Sequence, residues 1–389
     1  IENASKIIVL DNGQIVESGR HDELIENKSI YHSLYKNKFE DSPKSNSIAT
    51  QTTQLFLPEY EDEASTSYVV DSWYKKSLWL YLLYPFALIF SYLTTRRRRK
   101  YIKNINESYK ADVPIIVVGN LTIGGTGKTP LVKHIAIELI ERGYKPGIVS
   151  RGYGGKFKET LQVKEDSSVK ETGDEAQILA KLNLPFYLDK NRVRAVKTLI
   201  KNHDCDVIIS DDGLQHYSMA RDIEIAVIDG KRRFGNNLTF PAGPLRESIK
   251  RLKSVDFIVN NSGPTEEDEF LMSVSPSKFV HLKSGKSYSV DNWPMHKQIH
   301  AVAGLGNPGR FFDLLEKLGF EIIRHPFPDH HNFTSSDMFY LDHLPIVMTE
   351  KDASKCKDLD INKIWYLTID ADVSNKFIDK LDNKLKSLN

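Results

Sequence analysis

Gly119-Asn120-Leu121-Thr122-Ile123-Gly124-Gly125-Thr126-Gly127-Lys128-Thr129 follows an apolar segment, Val113 to Val118, and opens a helix-like segment running to about Arg142. A strand, a glycine-rich turn, Lys-Thr and then a helix is the layout of a loop that cradles phosphate. The glycines let successive backbone N–H groups turn toward phosphate oxygens, Lys128 adds a mobile positive charge, and Thr129 offers a hydroxyl to Mg2+. The candidate nucleotide-contacting residues are therefore Thr122, Ile123, Gly124, Gly125, Thr126, Gly127, Lys128 and Thr129. The general spacing G-x-x-x-x-G-K-[ST] asks for Gly at position 122, where this chain has Thr. Taken by itself, the stretch also reads as an ordinary glycine-rich turn.

Outward from the loop, strand, loop and helix patterns repeat. Val132, Ile135, Ala136, Leu139 and Ile140 form one apolar helical face, and Gly143 supplies the C-terminal stop. Strands are expected at Gly147–Ser150, Val207–Ser210, Ile223–Asp229 and Phe257–Asn260, then at His300–Ala303, Ile346–Met348 and Trp365–Ile369. This alternation implies parallel α/β layers. The later strands suggest a second, smaller α/β domain, with the boundary near residues 240–256. The expected organisation is a short segment at 1–40, a linker at 41–70, a hydrophobic helix with a basic cluster at 71–104, an α/β domain around the phosphate loop at 105–250, and the smaller domain at 251–389.

The 389 residues are 40% hydrophobic and 27% charged, enough for a large core. A net charge of +1 gives no global reason to expect a nucleic-acid partner. Cys205 and Cys356 are the only cysteines and have no metal-type spacing, which suits a reducing cytosol. The sequence starts on Ile1 with no secretory signal, and reads as a fragment or as the product of an unusual start codon.

Residues 77–93, Ser-Leu-Trp-Leu-Tyr-Leu-Leu-Tyr-Pro-Phe-Ala-Leu-Ile-Phe-Ser-Tyr-Leu, carry no charge and are followed by Arg96-Arg97-Arg98-Arg99-Lys100. The run is short for a span, which takes roughly 20 apolar residues, and Pro85 interrupts it. Its Trp and Tyr residues favour the headgroup region, and the basic cluster suits anionic membrane lipid on a cytoplasmic face. A spanning helix, an interfacial helix and a buried core helix all remain open.

Three further constellations carry chemistry. Val207-Ile-Ile-Ser-Asp211-Asp212-Gly213 is an apolar strand ending in paired carboxylates. Such an Asp holds Mg2+ opposite the loop's Thr in phosphate-loop enzymes, and is otherwise a plain turn or cap. Asp174 and Glu175 precede a helix-like run, Ala176–Leu182, either as capping carboxylates or as a general base. Pro328-Asp329-His330-His331-Asn332-Phe333 places two histidines beside an Asp. It lacks further ligands at useful spacing for a metal, which leaves a His that orients a carboxylate base or a solvated loop. Among the scattered cations, Arg151 is singled out because it directly follows a strand.

These motifs, together with Ser150-Arg-Gly-Tyr-Gly-Gly155, Asp211-Asp-Gly-Leu-Gln-His216, Pro241-Ala-Gly-Pro-Leu-Arg-Glu247, Ala303-Gly-Leu-Gly-Asn-Pro308 and Met348-Thr-Glu-Lys-Asp352, occur in one order from about residue 72 onward. The series resembles the tetraacyldisaccharide 4'-kinase family, in which Thr at the position of Thr122 is usual. The resemblance implies ATP-dependent phosphorylation of a lipid A disaccharide 1-phosphate precursor at its 4'-hydroxyl. It also implies two α/β/α sandwich domains, and attachment to the cytoplasmic face of the bacterial inner membrane through an N-terminal helix. By motif match, Lys128 and Thr129 bind phosphates and Mg2+, Asp211 or Asp212 completes the metal site, and Asp174 is the catalytic base assisted by His330. Separately, Lys6-Ile-Ile-Val-Leu10, the turn Asp11-Asn12-Gly13, Gln14–Glu17 and His21-Asp22-Glu23-Leu24-Ile25 resemble the C-terminal tail of an ABC exporter nucleotide-binding domain of the lipid A flippase type. That likeness implies a functional link to a lipid A exporter. The competing readings are a soluble phosphate-loop kinase or NTPase, and a non-catalytic transporter-associated subunit.

Overall fold

The computed structural model describes residues 7–11, 14–27, 68–75, 77–103, 108–306, 308–329 and 331–388. The chain forms two compact units, Ile1–Asp62 and Glu63–Asn389. In the first, β1 (Ile7–Asp11) pairs antiparallel with β2 (Gln14–Gly19), Ile7 opposite Gly19. A one-and-a-half-turn helix, His21–Glu26, follows, its start fixed by the Glu23 carboxylate accepting the Arg20 N–H at 2.8 Å. The expected turn residues Asn12 and Gly13, and the linker up to residue 67, lie outside the described residues.

The second unit is organised by one large mixed sheet. Its strands are β3 (Ile115–Gly119), β4 (Pro146–Ser150), β5 (Leu161–Gln162), β6 (Phe186–Leu188), β7 (Val207–Asp211), β8 (Ile223–Asp229), β9 (Phe257–Asn261), β10 (Glu269–His281), β11 (Ser287–Ser289), β12 (Gln298–Ala303), β13 (Glu321–Pro326), β14 (Ile346–Thr349) and β15 (Ile364–Val373). Across the sheet they run β13-β12-β14-β15-β10-β9-β8-β3-β7-β4-β6-β5, with β11 beside β10. Two parallel blocks are visible: β6 through β9, and β13-β12-β14-β15. The joint is β10, whose first residues pair parallel with β9 while most of its length pairs antiparallel with β15, from Met272 opposite Val373 to His281 opposite Trp365. Pro276 sits at a register shift in this pairing. A Pro, three Ser and a Lys make β10 a poor strand by sequence, which is why periodicity did not mark it.

Strand alternation explains the layering. Ile116 and Val118 face one core and Ile115 and Val117 the other, as period-two geometry requires. The helix Lys128–Glu141 covers the first face with Leu131, Val132, Ile135, Ala136 and Leu139, and the helix Arg192–Asn202 covers the second with Ala195, Val196 and Leu199. Ile140, expected on the buried face, is 44% exposed, and Leu131 is buried instead. The buried stripe runs through Leu131, Ile135 and Leu139, which leaves Ile140 at its edge, and Gly143, at φ +89°, ends the helix. The second block has its own core around Phe279, Trp293, Phe312 and Trp365. The last helix, Asn375–Lys386, returns to the first core and buries Phe377, Ile378, Leu381 and Leu385 there.

The hydrophobic stretch begins as a 3-10 segment, Leu78–Leu83, and becomes an α-helix, Tyr84–Lys103. Pro85 falls in the first α-helical turn, where its missing N–H costs nothing. The basic cluster continues this helix. One stripe docks on the unit: Ala87 is buried and its carbonyl accepts Thr239 Oγ1 at 2.8 Å, Phe90 meets Phe240 edge-on at 5.7 Å, Arg98 donates to Ser254 Oγ at 2.8 Å, and Tyr101 stacks on Tyr217. Leu82, Phe86, Ile89 and Leu93 form the opposite stripe, each more than half exposed.

Because Phe377 is fully buried against Phe257 at a 5.5 Å ring separation, Phe377→Ala is expected to cost about 3–5 kcal/mol. Urea denaturation of the parent and variant measures it.

Candidate active site

The turn between β3 and its helix is held open by its neighbours. Asn120 Nδ2 donates to the Gly124 carbonyl at 3.2 Å, and Asn261 Nδ2, from the end of β9, donates to the Thr126 carbonyl at 3.0 Å. Gly127 is left-handed (φ +89°), and a Cβ there would lie 2.5 Å from Asn261 Nδ2, so glycine is required both for conformation and for close approach. Gly124 and Gly125 are exposed, with open space around them. The Pro241–Glu247 motif braces the loop from outside. Ile123 N–H donates to the Pro244 carbonyl at 2.8 Å, Arg246 N–H donates to the Leu121 carbonyl at 2.7 Å, and Thr122 pairs with Leu245. Thr122 is buried by that pairing, which gives the residue at the Gly position a structural reason. Thr129, half-buried, stands in the first turn of the helix.

The paired carboxylates at the end of β7 have unlike surroundings. Asp212 takes a left-handed backbone (φ +49°) and lies 3.5 Å from Lys128 Nζ, while Arg246 Nη1 contacts both its oxygens at 3.0 and 3.2 Å. Burial works against its charge, but Lys128 and Arg246 outweigh it and hold the Asp212 carboxyl below its usual range. Asp211 is almost fully buried, and its Oδ1 has no hydrogen-bond partner. Burial, with Asp212 and Glu175 adding like charge, pushes its carboxyl up to about 7. Behind it, Arg192 is buried and donates to the Asp189 and Asp211 carbonyls at 3.0 and 3.2 Å. Burial lowers that guanidinium to about 10, and neighbouring Arg151 pushes the same way. Arg151 itself is exposed.

Asp174 opens the helix Asp174–Ala180. Its own backbone is fixed by Gly173 (φ +84°), where a Cβ would strike the Tyr153 carbonyl at 2.2 Å. Asp174 is buried, and the Lys351 and Lys355 ammoniums both lie 3.6 Å from its Oδ2. Both lysines come from the second parallel block. Asp329, in the His-containing loop, also meets Lys351 at 3.5 Å. His330 lies outside the described residues. His331 is held by Asp337 at 3.2 Å between Phe327 and Phe333, so it packs its own loop.

The structure thus brings Lys128, Asp211, Asp212 and the glycine turn together at the C-terminal ends of parallel strands, the edge where α/β sheets bind ligands. Glu175 is close enough for its charge to reach Asp211, which ties the Asp174 helix to the same edge. Sequence reading did not assign Asn261, Lys351 or Lys355 to the site, and counted Arg192 and Arg246 only among scattered cations for an anionic substrate. The ordered motifs around Arg246 and Lys351 were the available signal.

The model of the tetraacyldisaccharide-1-P 4'-kinase family matches residues 79–386. The chain belongs to that family. It is 47% identical over 307 residues to the tetraacyldisaccharide 4'-kinase of Ruthia magnifica subsp. Calyptogena magnifica, covering 78% of this chain and 97% of that one. It is 42% identical over 318 residues to the tetraacyldisaccharide 4'-kinase of Methylobacillus flagellatus, covering 81% and 95%. Among solved structures, that of the "apo" form LpxK from Aquifex aeolicus in complex with ATP superposes with a TM-score of 0.69 at 26% identity, over 79% of this chain and 100% of the other. Membership in the family accounts for the large parallel-rich sheet, and the family region contains every site residue described above.

The Asp211 environment gives a pH dependence with a definite sign. A folded carboxyl at about 7 against an ordinary 3.8 keeps its proton where the unfolded chain has lost it, so stability falls as pH rises from about 4 to about 7. Asp211→Asn lacks this penalty. Thermal unfolding of the nucleotide-free and metal-free proteins should find the variant gaining on the parent as pH rises from about 4 to about 7. A constant difference contradicts the assigned environment.

Proposed function

We propose that this chain transfers the γ-phosphoryl group of ATP to the 4'-hydroxyl of a tetraacyldisaccharide 1-phosphate, a step of lipid A biosynthesis. The observation that carries the reading is the meeting of a phosphate loop and paired aspartates from one block with an Asp174 held by lysines of the other, in a chain of this family.

Phosphoryl transfer asks for alignment and charge neutralisation more than for covalent chemistry. In a P-loop α/β/α sandwich of this kind, the exposed amides of Gly124 and Gly125 and the start of the 128–141 helix would receive the phosphates. Lys128 stands among them, already directed by Asp212. The buried, unpartnered Oδ1 of Asp211 is a carboxylate oxygen lacking a donor, which supports a divalent cation at this position. Mg2+ bound by Thr129, Asp211 and Asp212 would neutralise phosphate charge. Asp174 would accept the proton of the acceptor hydroxyl, with His330 as its partner. The two parallel blocks would act as two lobes of one site.

The helix at Leu78–Lys103 is long and apolar enough to cross a membrane by length and composition. Its docked stripe, exposed apolar stripe and arginine cluster support attachment to anionic lipid at the cytoplasmic face of the inner membrane, where a lipid-borne sugar is presented. We read residues 1–40 as an exporter-like tail, which would link this enzyme to a lipid A exporter.

Asp174→Ala should lower turnover about 100-fold or more, the scale of a lost general base, while ATP affinity measured by direct titration stays near the parent value. Unchanged turnover removes the base assignment.

A further inference from the structure

Asp174 sits almost entirely out of water, and a buried carboxylate needs compensating charge. Two lysines provide it, but they are not equivalent. Lys355, 8% exposed, is also 3.1 Å from Asp352 Oδ1. Asp352 is itself locked, accepting the Gly304 N–H at 3.0 Å and Thr349 Oγ1 at 2.7 Å. Lys355 is therefore part of a fixed frame. Lys351, 18% exposed, is shared between Asp174 Oδ2 at 3.6 Å and Asp329 Oδ1 at 3.5 Å. Its ammonium on a four-carbon stem can follow either carboxylate. Burial disfavours its charge, yet Asp174 and Asp329 outweigh burial and hold the ammonium more firmly protonated than usual.

The backbone at Asp174 is rigid, because Gly173 is pressed against Tyr153 and Gly155 against the Glu171 carbonyl. Oδ1 takes the Glu175 N–H at 3.1 Å. Oδ2 faces the two lysines of the other block.

We propose that Lys351 is a positioning residue for phosphoryl transfer, orienting the Asp174 carboxylate toward the acceptor hydroxyl and coupling it to the Asp329 loop across the seam between the two parallel blocks. This rests on the reading of Asp174 as base. In this role Lys351 acts through Asp174, the carboxylate it meets at 3.6 Å.

The test uses the full chain in lipid-detergent mixed micelles, with ATP and a tetraacyldisaccharide 1-phosphate as substrates. Lys351→Met should lower kcat by about 10–100-fold with KM for ATP changed by less than about twofold, the split that marks loss of a transition-state interaction. Lys351→Arg should recover much of kcat by restoring the cation. In an Asp174→Asn background, whose residual turnover is measured first, Lys351→Met should add almost no further loss, because the two act as a unit. Thermal unfolding of each variant separates this from simple destabilisation, and Lys351→Gln supplies a second neutral variant if the Met form folds poorly. Losses that multiply in the double variant overturn the proposal, as does a raised KM with unchanged kcat. An Asp174→Asn enzyme with parental turnover instead overturns the base reading itself, and the Lys351 role with it.

Discussion

The antiparallel pairing of β10 with β15 is the constraint on which the rest depends. Each parallel block could satisfy its own strands internally, but neither alone would contain the site. β10 leaves β9 beside Asn261, which supports the phosphate loop, and carries its pairing on to β15. β15 in turn aligns β14, and β14 ends at Thr349, where the turn bearing Lys351, Asp352 and Lys355 begins. A continuous ladder of hydrogen bonds therefore connects the nucleotide loop to the lysines that compensate Asp174. The return of the C-terminal helix onto the first core ties the two blocks together a second time.

Burial then differentiates carboxylates that look alike. Asp212 is surrounded by cations and favours ionisation, whereas its neighbour Asp211 is desolvated, faces like charge and resists it. Two adjacent residues of one type thereby acquire different chemistry from their surroundings. Asp174 is a third case, buried but matched by two lysines from distant sequence.

Much of this was legible in the chain because it rests on local physics. Apolar runs bounded by turns marked β3, β4, β7, β8 and β9, and the glycine pattern marked the loop. β10 was not legible, since its stability comes from partners on both sides and its own composition argues against a strand. The pairing of Arg246 with Asp212 and of Lys351 with Asp174 joins residues far apart in sequence, and no local period encodes such pairs. Ile140 shows the opposite limit: sequence phase placed it on the apolar face, but it falls at the edge of a stripe that runs through Leu131, Ile135 and Leu139.

The identity of the acceptor decides the function. Incubation of the full chain with γ-labelled ATP and a tetraacyldisaccharide 1-phosphate in mixed micelles, followed by separation and positional analysis of the lipid, tests it directly. A doubly phosphorylated lipid carrying the label at the 4'-position is the expected product. Label released only to water, or transferred only to a soluble small molecule, would contradict it.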